Sequence, residues 1–377
     1  MKVKYCGPAK DYSGYGEANR HDIGALHAAG IELTTQIPVY VMELSDYGKL
    51  GELAGRYENQ QIGYRIKILH TTPNVYKQFY EGGKYHVGRV FWETDKLPLD
   101  FSLNCQLLDE IWTGSEFNAD AIRNAGVTKP IFIIPEAIDT DVPTVEPYIT
   151  TNKNDYKFYS IFEWTERKNP LALLEAFWRE FESDKDVSLT LKTYLVGFGA
   201  DKREPINQQI KKLKARLNLK HYAPVYLYRQ LMDRHQIYRF HSSFDCFVSA
   251  HRGEGWGVPQ MEALLLKKPV ISTNCGGIHE YLEHKKSAYL LPFKMVPVGE
   301  ITYNKQWYTP DQKWANVEID DIRSALRFAY ANREEMAKMG EEGQNVVKTK
   351  FSLEAVGRMM ANRINDIINK ILIGGEN

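Results

Sequence analysis

Short apolar runs alternate along the chain with segments whose apolar residues recur every three or four positions. Residues 3–6, 31–37, 66–69, 87–91, 110–113 and 131–134 predict strands. The last is an unbroken apolar run, the pattern of a strand covered on both faces. A Gly-rich turn follows the first strand, and a helix is expected over 18–29, stopped at Gly30. The stretch 139–155 carries Pro143, Pro147 and little periodicity, and reads as a linker. The alternation then restarts. Strands are expected at 158–162, 189–196, 225–227, 246–249 and 270–273, and helices at 170–181, 206–217 and 236–240. Strands alternating with helices predict parallel sheets built from βαβ units. The segment 294–317 fits no pattern. Residues 352–372 form a strong amphipathic helix with Ser352 placed to cap it.

Composition narrows this picture. The 377 residues are 43% hydrophobic and 25% charged, enough for two folded domains and too apolar for disorder. Lys+Arg and Asp+Glu balance at 48 each, so the chain is not a polycation that binds nucleic acid by charge alone. The balance is uneven locally. Residues 1–150 hold 14 basic against 20 acidic side chains, and 151–377 hold 34 against 28. A phosphorylated ligand is better hosted by the second half. Ten basic residues fall within 202–239, facing Glu204 and Asp233; a solvated helix face or an anionic partner are both open readings. Cys6, Cys105, Cys246 and Cys275 have neither CxxC nor zinc spacing, which predicts reduced thiols in a cytoplasm-like compartment. No signal peptide or membrane span is expected, while peripheral membrane contact stays open.

The strongest candidate chemistry is the stretch from Ser249 to Leu264. Gly253, Gly255 and Gly257 make a turn in which backbone can approach a ligand closely, and Pro259 suits the first turn of a helix. That helix would aim its amides at the turn and form an anion site. Glu254 in the turn and Glu262 on the helix bracket it. Carboxylates accept hydrogen bonds from sugar diols. Two of them around one phosphate site describe a nucleotide-sugar.

The motif Glu254-Gly-Trp-Gly-Val-Pro-Gln-Met-Glu262, with Lys268-Pro-Val-Ile and Gly276-Gly277-x-x-Glu280, resembles the donor-site signature of retaining GT-B glycosyltransferases, in particular glycosyltransferase family 4. Arg167-Lys168-Asn169-Pro170 is similar to the basic opening of that family's C-terminal domain; Glu163 stands about where many members carry an Arg. In the first half, Trp92-Glu93 with Leu97-Pro98, and Asp109 to Phe117, look like further family segments. Ile134-Pro135-Glu136-Ala137-Ile138-Asp139 resembles another, with Ala137 in place of the usual glycine. Asp11 to Arg20, with Gly14 and Gly16, resembles the family's first glycine loop.

The resemblance implies an α/β GT-B fold: two Rossmann-like domains with parallel sheets facing a central cleft, and a C-terminal helix crossing back. The expected division is 1–150 for the acceptor-side domain, 151–351 for the nucleotide-sugar domain and 352–377 for the returning helix. It implies retaining, metal-independent transfer from a UDP- or GDP-sugar to a hydroxyl of a glycan or lipid-linked saccharide, with no cofactor required. In that scheme Arg167 and Lys168 hold the diphosphate, aided by amides near Gly255, Gly257 and Gly277. Glu254 grips the hexose, Glu262 the ribose, and His70 faces the hexose. Tyr228 and Arg229 read the base. Alternatives stay open: a phage-type enzyme acting on a hydroxylated DNA base in a host cytoplasm, or a non-catalytic nucleotide-sugar-binding subunit. Asp139-Thr-Asp141 has the form of a DxD metal motif, but follows a strand where the family commonly has an Asp, so no metal role is expected.

Overall fold

The computed structural model describes residues 1–38, 47–148, 154–195, 203–302 and 304–374; Val196 and Lys202, included in the expected strand and basic stretch, lie outside them. The chain forms two units, Met1–Pro143 together with Val346–Asn377, and Thr144–Asn345.

The first unit is built on six parallel strands: β1 (Lys2–Cys6), β2 (Glu32–Gln36), β3 (Ile66–Leu69), β4 (Tyr85–Arg89), β5 (Glu110–Thr113) and β6 (Ile131–Ile133), in the order β2-β1-β3-β4-β5-β6. Helix Gly14–Ala28 starts four residues earlier than its periodicity suggests. Ser13 caps it by accepting from Gly16 N, and Gly16 lies so close to Asp11 that a Cβ would stand 2.0 Å from the Asp11 carbonyl oxygen. The C-terminal helix Leu353–Gly374 packs on this helix: Val356, Met360, Ile364 and Ile367 share a buried core with Ile23 and Leu26. Gly357 permits the approach, since a Cβ there would meet the Ala25 carbonyl oxygen at 2.2 Å.

The second unit carries β7 (Tyr156–Glu163), β8 (Val187–Tyr194), β9 (Val225–Tyr228), β10 (Cys246–Ser249), β11 (Val270–Thr273) and β12 (Tyr289–Leu291), again all parallel, in the order β12-β11-β10-β7-β8-β9. The direction of winding reverses between β7 and β10. In open parallel sheets ligands bind beyond the carboxyl ends of strands at such a reversal. The strand alternation was readable, but the 294–317 segment was not: it contains an antiparallel hairpin of β13 (Lys294–Pro297) and β14 (Lys313–Asn316). Among the described residues no helix is long and apolar enough to cross a membrane. Cys6, Cys105, Cys246 and Cys275 are buried free thiols.

Candidate functional site

The loop after β7 and the loop after β10 meet at the reversal in the second unit. In the first loop Asn169 takes a left-handed backbone, φ 55°, and Pro170 begins helix Pro170–Phe181. Asn tolerates this conformation better than other non-glycine residues, and Pro needs no amide partner there. The turn thereby presents Arg167 and Lys168 to the second loop. Lys168 Nζ forms an ion pair with the Glu254 carboxylate. Arg167 Nη1 donates to the Gly253 carbonyl at 2.9 Å, and Arg252 N donates to the Arg167 carbonyl at 2.7 Å. Asn169 Nδ2 adds a bond to the Ala250 carbonyl.

Burial alone would raise the Glu254 carboxyl, but the Lys168 and Arg167 charges beside it outweigh burial and bring it down to about 2. Nearby His251 goes the other way. It is fully buried, which pushes it to about 3, so its ring is neutral at pH 7.

A third turn supports these two. Gly276 has φ 99°, and a Cβ on it would meet the Glu254 carbonyl oxygen at 2.2 Å. Gly277 N donates to that carbonyl at 3.0 Å, and its own Cβ would meet the Gly255 carbonyl oxygen at 2.2 Å. The Gly-Gly pair is therefore a docking surface for the Glu254 turn. Tyr281, which the sequence reading did not single out, closes the arrangement. Its hydroxyl lies 2.8 Å from the Trp256 carbonyl and 2.9 Å from the Gly257 carbonyl. Helix Val258–Leu265 begins after Gly257, whose left-handed backbone, φ 96°, serves as its N-cap. Gln260 is buried beside that cap, and its Nε2 has no hydrogen-bond partner among the described residues.

Glu262 is buried and doubly engaged. Arg234 Nη1 is 2.6 Å from one carboxylate oxygen and His241 Nε2 is 3.3 Å from the other. Neither partner could be read from the sequence, because both come from the neighbouring helix Arg234–Ser242. Tyr228 stands at the carboxyl end of β9 with its ring edge-on to Phe240, and Arg229 Nη2 donates to Asn207 Oδ1 at 2.7 Å. Much of the basic stretch is consumed within the unit: Arg216 pairs with Glu175, Arg239 Nε donates to the Glu146 carbonyl, and Lys214 lies over the rings of Trp178 and Tyr222.

His70 belongs to the first unit. It follows β3, is fully buried, and sits between the rings of Tyr15 and Phe91 at 5.6 and 5.8 Å. Its Nδ1 is 2.7 Å from the Tyr5 hydroxyl and 3.0 Å from Asp22 Oδ2. Burial lowers its pKa and Asp22 opposes this only in part. Asp22 is itself held ionised by Arg89, whose Nε and Nη2 donate to it at 2.8 and 3.1 Å. Asp22 and Arg89 are functional-looking residues that no motif announced. Of the two loop glycines, Gly16 is sterically required, whereas a Cβ at Gly14 meets nothing within 4 Å. The Asp139 and Asp141 carboxylates share Lys49, at 3.0 and 2.7 Å. Among the described residues no group of three or more His, Cys, Asp or Glu side chains could hold a metal ion.

Residues 145–296 match the family described as Glycosyl transferases group 1. The chain is similar to the alpha-1,3/1,6-mannosyltransferase ALG2 of Mus musculus, at 28% identity over 162 residues, covering 42% of this chain and 36% of that protein. The Homo sapiens protein of the same name matches at 28% over 163 residues with the same coverage. The chain thus spans about a third of the length of these curated relatives. Among solved structures, sucrose-phosphate synthase from Thermosynechococcus elongatus superposes with a TM-score of 0.68 at 14% identity, over 98% of this chain and 100% of that one. Anabaena Alr3699/HepE in complex with UDP and glucose gives 0.64 at 15% identity, over 97% and 100%. These likenesses establish the GT-B fold.

Proposed function

We propose, from the premise that over residues 145–296 this chain belongs to the glycosyl transferases group 1 family, that it moves a sugar from a nucleoside diphosphate to an acceptor hydroxyl. The observation that carries the reading is the meeting of Arg167-Lys168 with the Glu254 turn at the sheet reversal, backed by Gly276-Gly277. One small region offers fixed positive charge, helix-start amides and a carboxylate held ionised by its neighbours. Those groups match, respectively, a diphosphate and the hydroxyls of a hexose.

In this reading Lys168 and Arg167 take up charge as the bond between the anomeric carbon and the diphosphate oxygen breaks. Amides near Gly255, Gly257 and Gly277 assist. The acceptor oxygen bonds to the anomeric carbon on the face the leaving group vacates, and the acceptor proton passes to the departing phosphate oxygen. Configuration is retained, no protein carboxylate serves as nucleophile, and no metal is used. Glu254 orients the hexose hydroxyls. Glu262, aligned by Arg234 and His241, takes the ribose diol. Tyr228 and Arg229 are assigned to the base, and His70, its ring fixed through Nδ1, is assigned to the transferred sugar. Gly14 and Gly16, which open the first-unit helix, are assigned to the phosphate by the family resemblance.

A UDP-sugar is the first donor to examine, since a solved neighbour of the same fold holds UDP and glucose. The acceptor is proposed to be a glycan or lipid-linked saccharide, and the compartment cytoplasmic. The internal pairing of Arg216, Arg234 and Arg239 leaves less free positive charge for a DNA acceptor.

Calorimetry with UDP and GDP tests the site. Glu262→Ala is expected to weaken binding of the preferred nucleotide about tenfold or more, because charge-assisted bonds to the ribose are lost. Unchanged affinity would remove Glu262 from the nucleotide site.

A further inference from the structure

The hairpin β13–β14 encloses a cavity of about 310 Å³ against the turn that carries Lys168. Its volume is at the lower end of the range for ligand pockets, about 300–1,000 Å³. The hairpin is tied to the donor-site loops at two points. Ala315 N donates to the Arg252 carbonyl at 2.7 Å, and Arg252 Nη1 donates to Asn316 Oδ1 at 2.9 Å. Arg252 also lies over the Trp314 ring, 5.3 Å from its centroid. Thr302 N, from the segment that joins the two strands, donates to Glu166 Oε1 at 2.8 Å. Residues 166 and 252 each stand two positions from a member of the Lys168–Glu254 pair. The cavity therefore shares its walls with the loops assigned to the donor.

Its chemistry differs from that of the donor site. Pro170, Leu171, Pro297 and Trp314 give apolar walls, and two carboxylates, Glu166 and Glu300, line the cavity together with one guanidinium, Arg252. A diphosphate placed here would meet more negative than positive charge. A neutral polyhydroxyl ring meets both kinds of wall favourably: its hydroxyls donate to carboxylates, and its C–H face lies on proline and indole.

We infer that this cavity is a saccharide subsite separate from the nucleotide-sugar site, taking one neutral pyranose unit of the acceptor glycan. The inference rests on the glycosyl-transfer reading for the word acceptor, but the binding itself can be tested without turnover. Glu300 is an exposed residue outside the donor machinery, so Glu300→Gln removes charge with little risk to the fold.

The test is saturation-transfer NMR on the full chain. The probes are methyl α-glucopyranoside, methyl α-mannopyranoside, methyl N-acetyl-β-glucosaminide and the 1,3- and 1,4-linked disaccharides of these sugars. At least one probe is expected to bind with saturating UDP or GDP present, with affinity changed less than twofold by the nucleotide. Glu300→Gln is expected to weaken it roughly tenfold, while leaving nucleotide affinity and nucleotide-sugar hydrolysis by water unchanged. Displacement of the probe by nucleotide, equal binding by wild type and Glu300→Gln, or binding by none of the probes would each overturn the subsite. Failure of the transfer reading would look different: no nucleotide affinity, whatever the saccharide result.

Discussion

At the scale of single residues, the second unit separates two kinds of buried charge. Glu254 is buried among cations, which hold it ionised. Lys192 on β8 is buried, with burial the one influence on its charge, and lies over the Tyr194 ring at 5.3 Å. Burial alone brings its pKa down from 10.5 to about 8. The unfolded chain then binds a proton that the folded chain refuses between about pH 8 and 10.5. Stability must rise as pH rises through that window, and below it the penalty is constant. Lys192→Met is expected to stabilise the protein at pH 7 by about 2–3 kcal/mol and to remove the rise. Urea unfolding from pH 7 to 10.5 checks this, and an unchanged slope for the variant would contradict it. The acidic pair Glu254 and Glu262 and the basic pair Arg167 and Lys168 were legible because each sits in a compact motif. Arg234, His241 and Tyr281 were not, because they reach the site from 21 to 28 positions away along the chain and carry no spacing of their own.

At the scale of elements, the three turns of the candidate donor site are held by backbone contacts that admit no side chain. Gly277→Ala would place a Cβ 2.2 Å from the Gly255 carbonyl oxygen and 3.0 Å from the Trp256 Cα. Both are backbone atoms, so the turns must separate. The expected result is a loss of about 1–3 kcal/mol in stability and at least tenfold in nucleotide affinity. Gly14→Ala, which meets open space, should cost no stability. Equal behaviour of the two variants in thermal unfolding and calorimetry would contradict the docking of the turns. Strands β3, β5, β10 and β11 could be bounded from sequence because each is a short apolar run between punctuating residues. Helix Gly14–Ala28 could be found but not bounded: two glycines in its first turn read as loop until Ser13 is seen to cap it. The hairpin β13–β14 was illegible because Lys294, Met295 and Lys313 are exposed, so its pairing leaves no apolar alternation.

At the scale of the molecule, each unit has its own core and its own buried polar centre. In the first unit Asp22, Arg89, His70 and Tyr5 form one network, with Arg89 also donating to the Ile134 and Pro135 carbonyls. Arg89 thus joins helix Gly14–Ala28 to the strand end after β6. Removing one partner of a buried pair leaves the other uncompensated, at a cost of about 3–5 kcal/mol. Asp22→Ala should lower stability by that amount, read from the urea midpoint of the whole chain. A loss below about 1 kcal/mol would show that the network is not structural. The fold class was legible from alternation. Why His70 is fixed was not, since its partners Tyr5 and Asp22, and Arg89 that holds Asp22, come from three different elements.

The function proposed for this protein is glycosyl transfer from a nucleotide-sugar held by the Lys168–Glu254 loops. It is tested most directly by nucleoside diphosphate release from UDP-, GDP-, ADP- and dTDP-sugars in excess EDTA, with Glu254→Ala in parallel. Release is expected from one donor, unaffected by EDTA and abolished in the variant. No release from any donor, together with no thermal stabilisation by any of the four nucleotides, would contradict it.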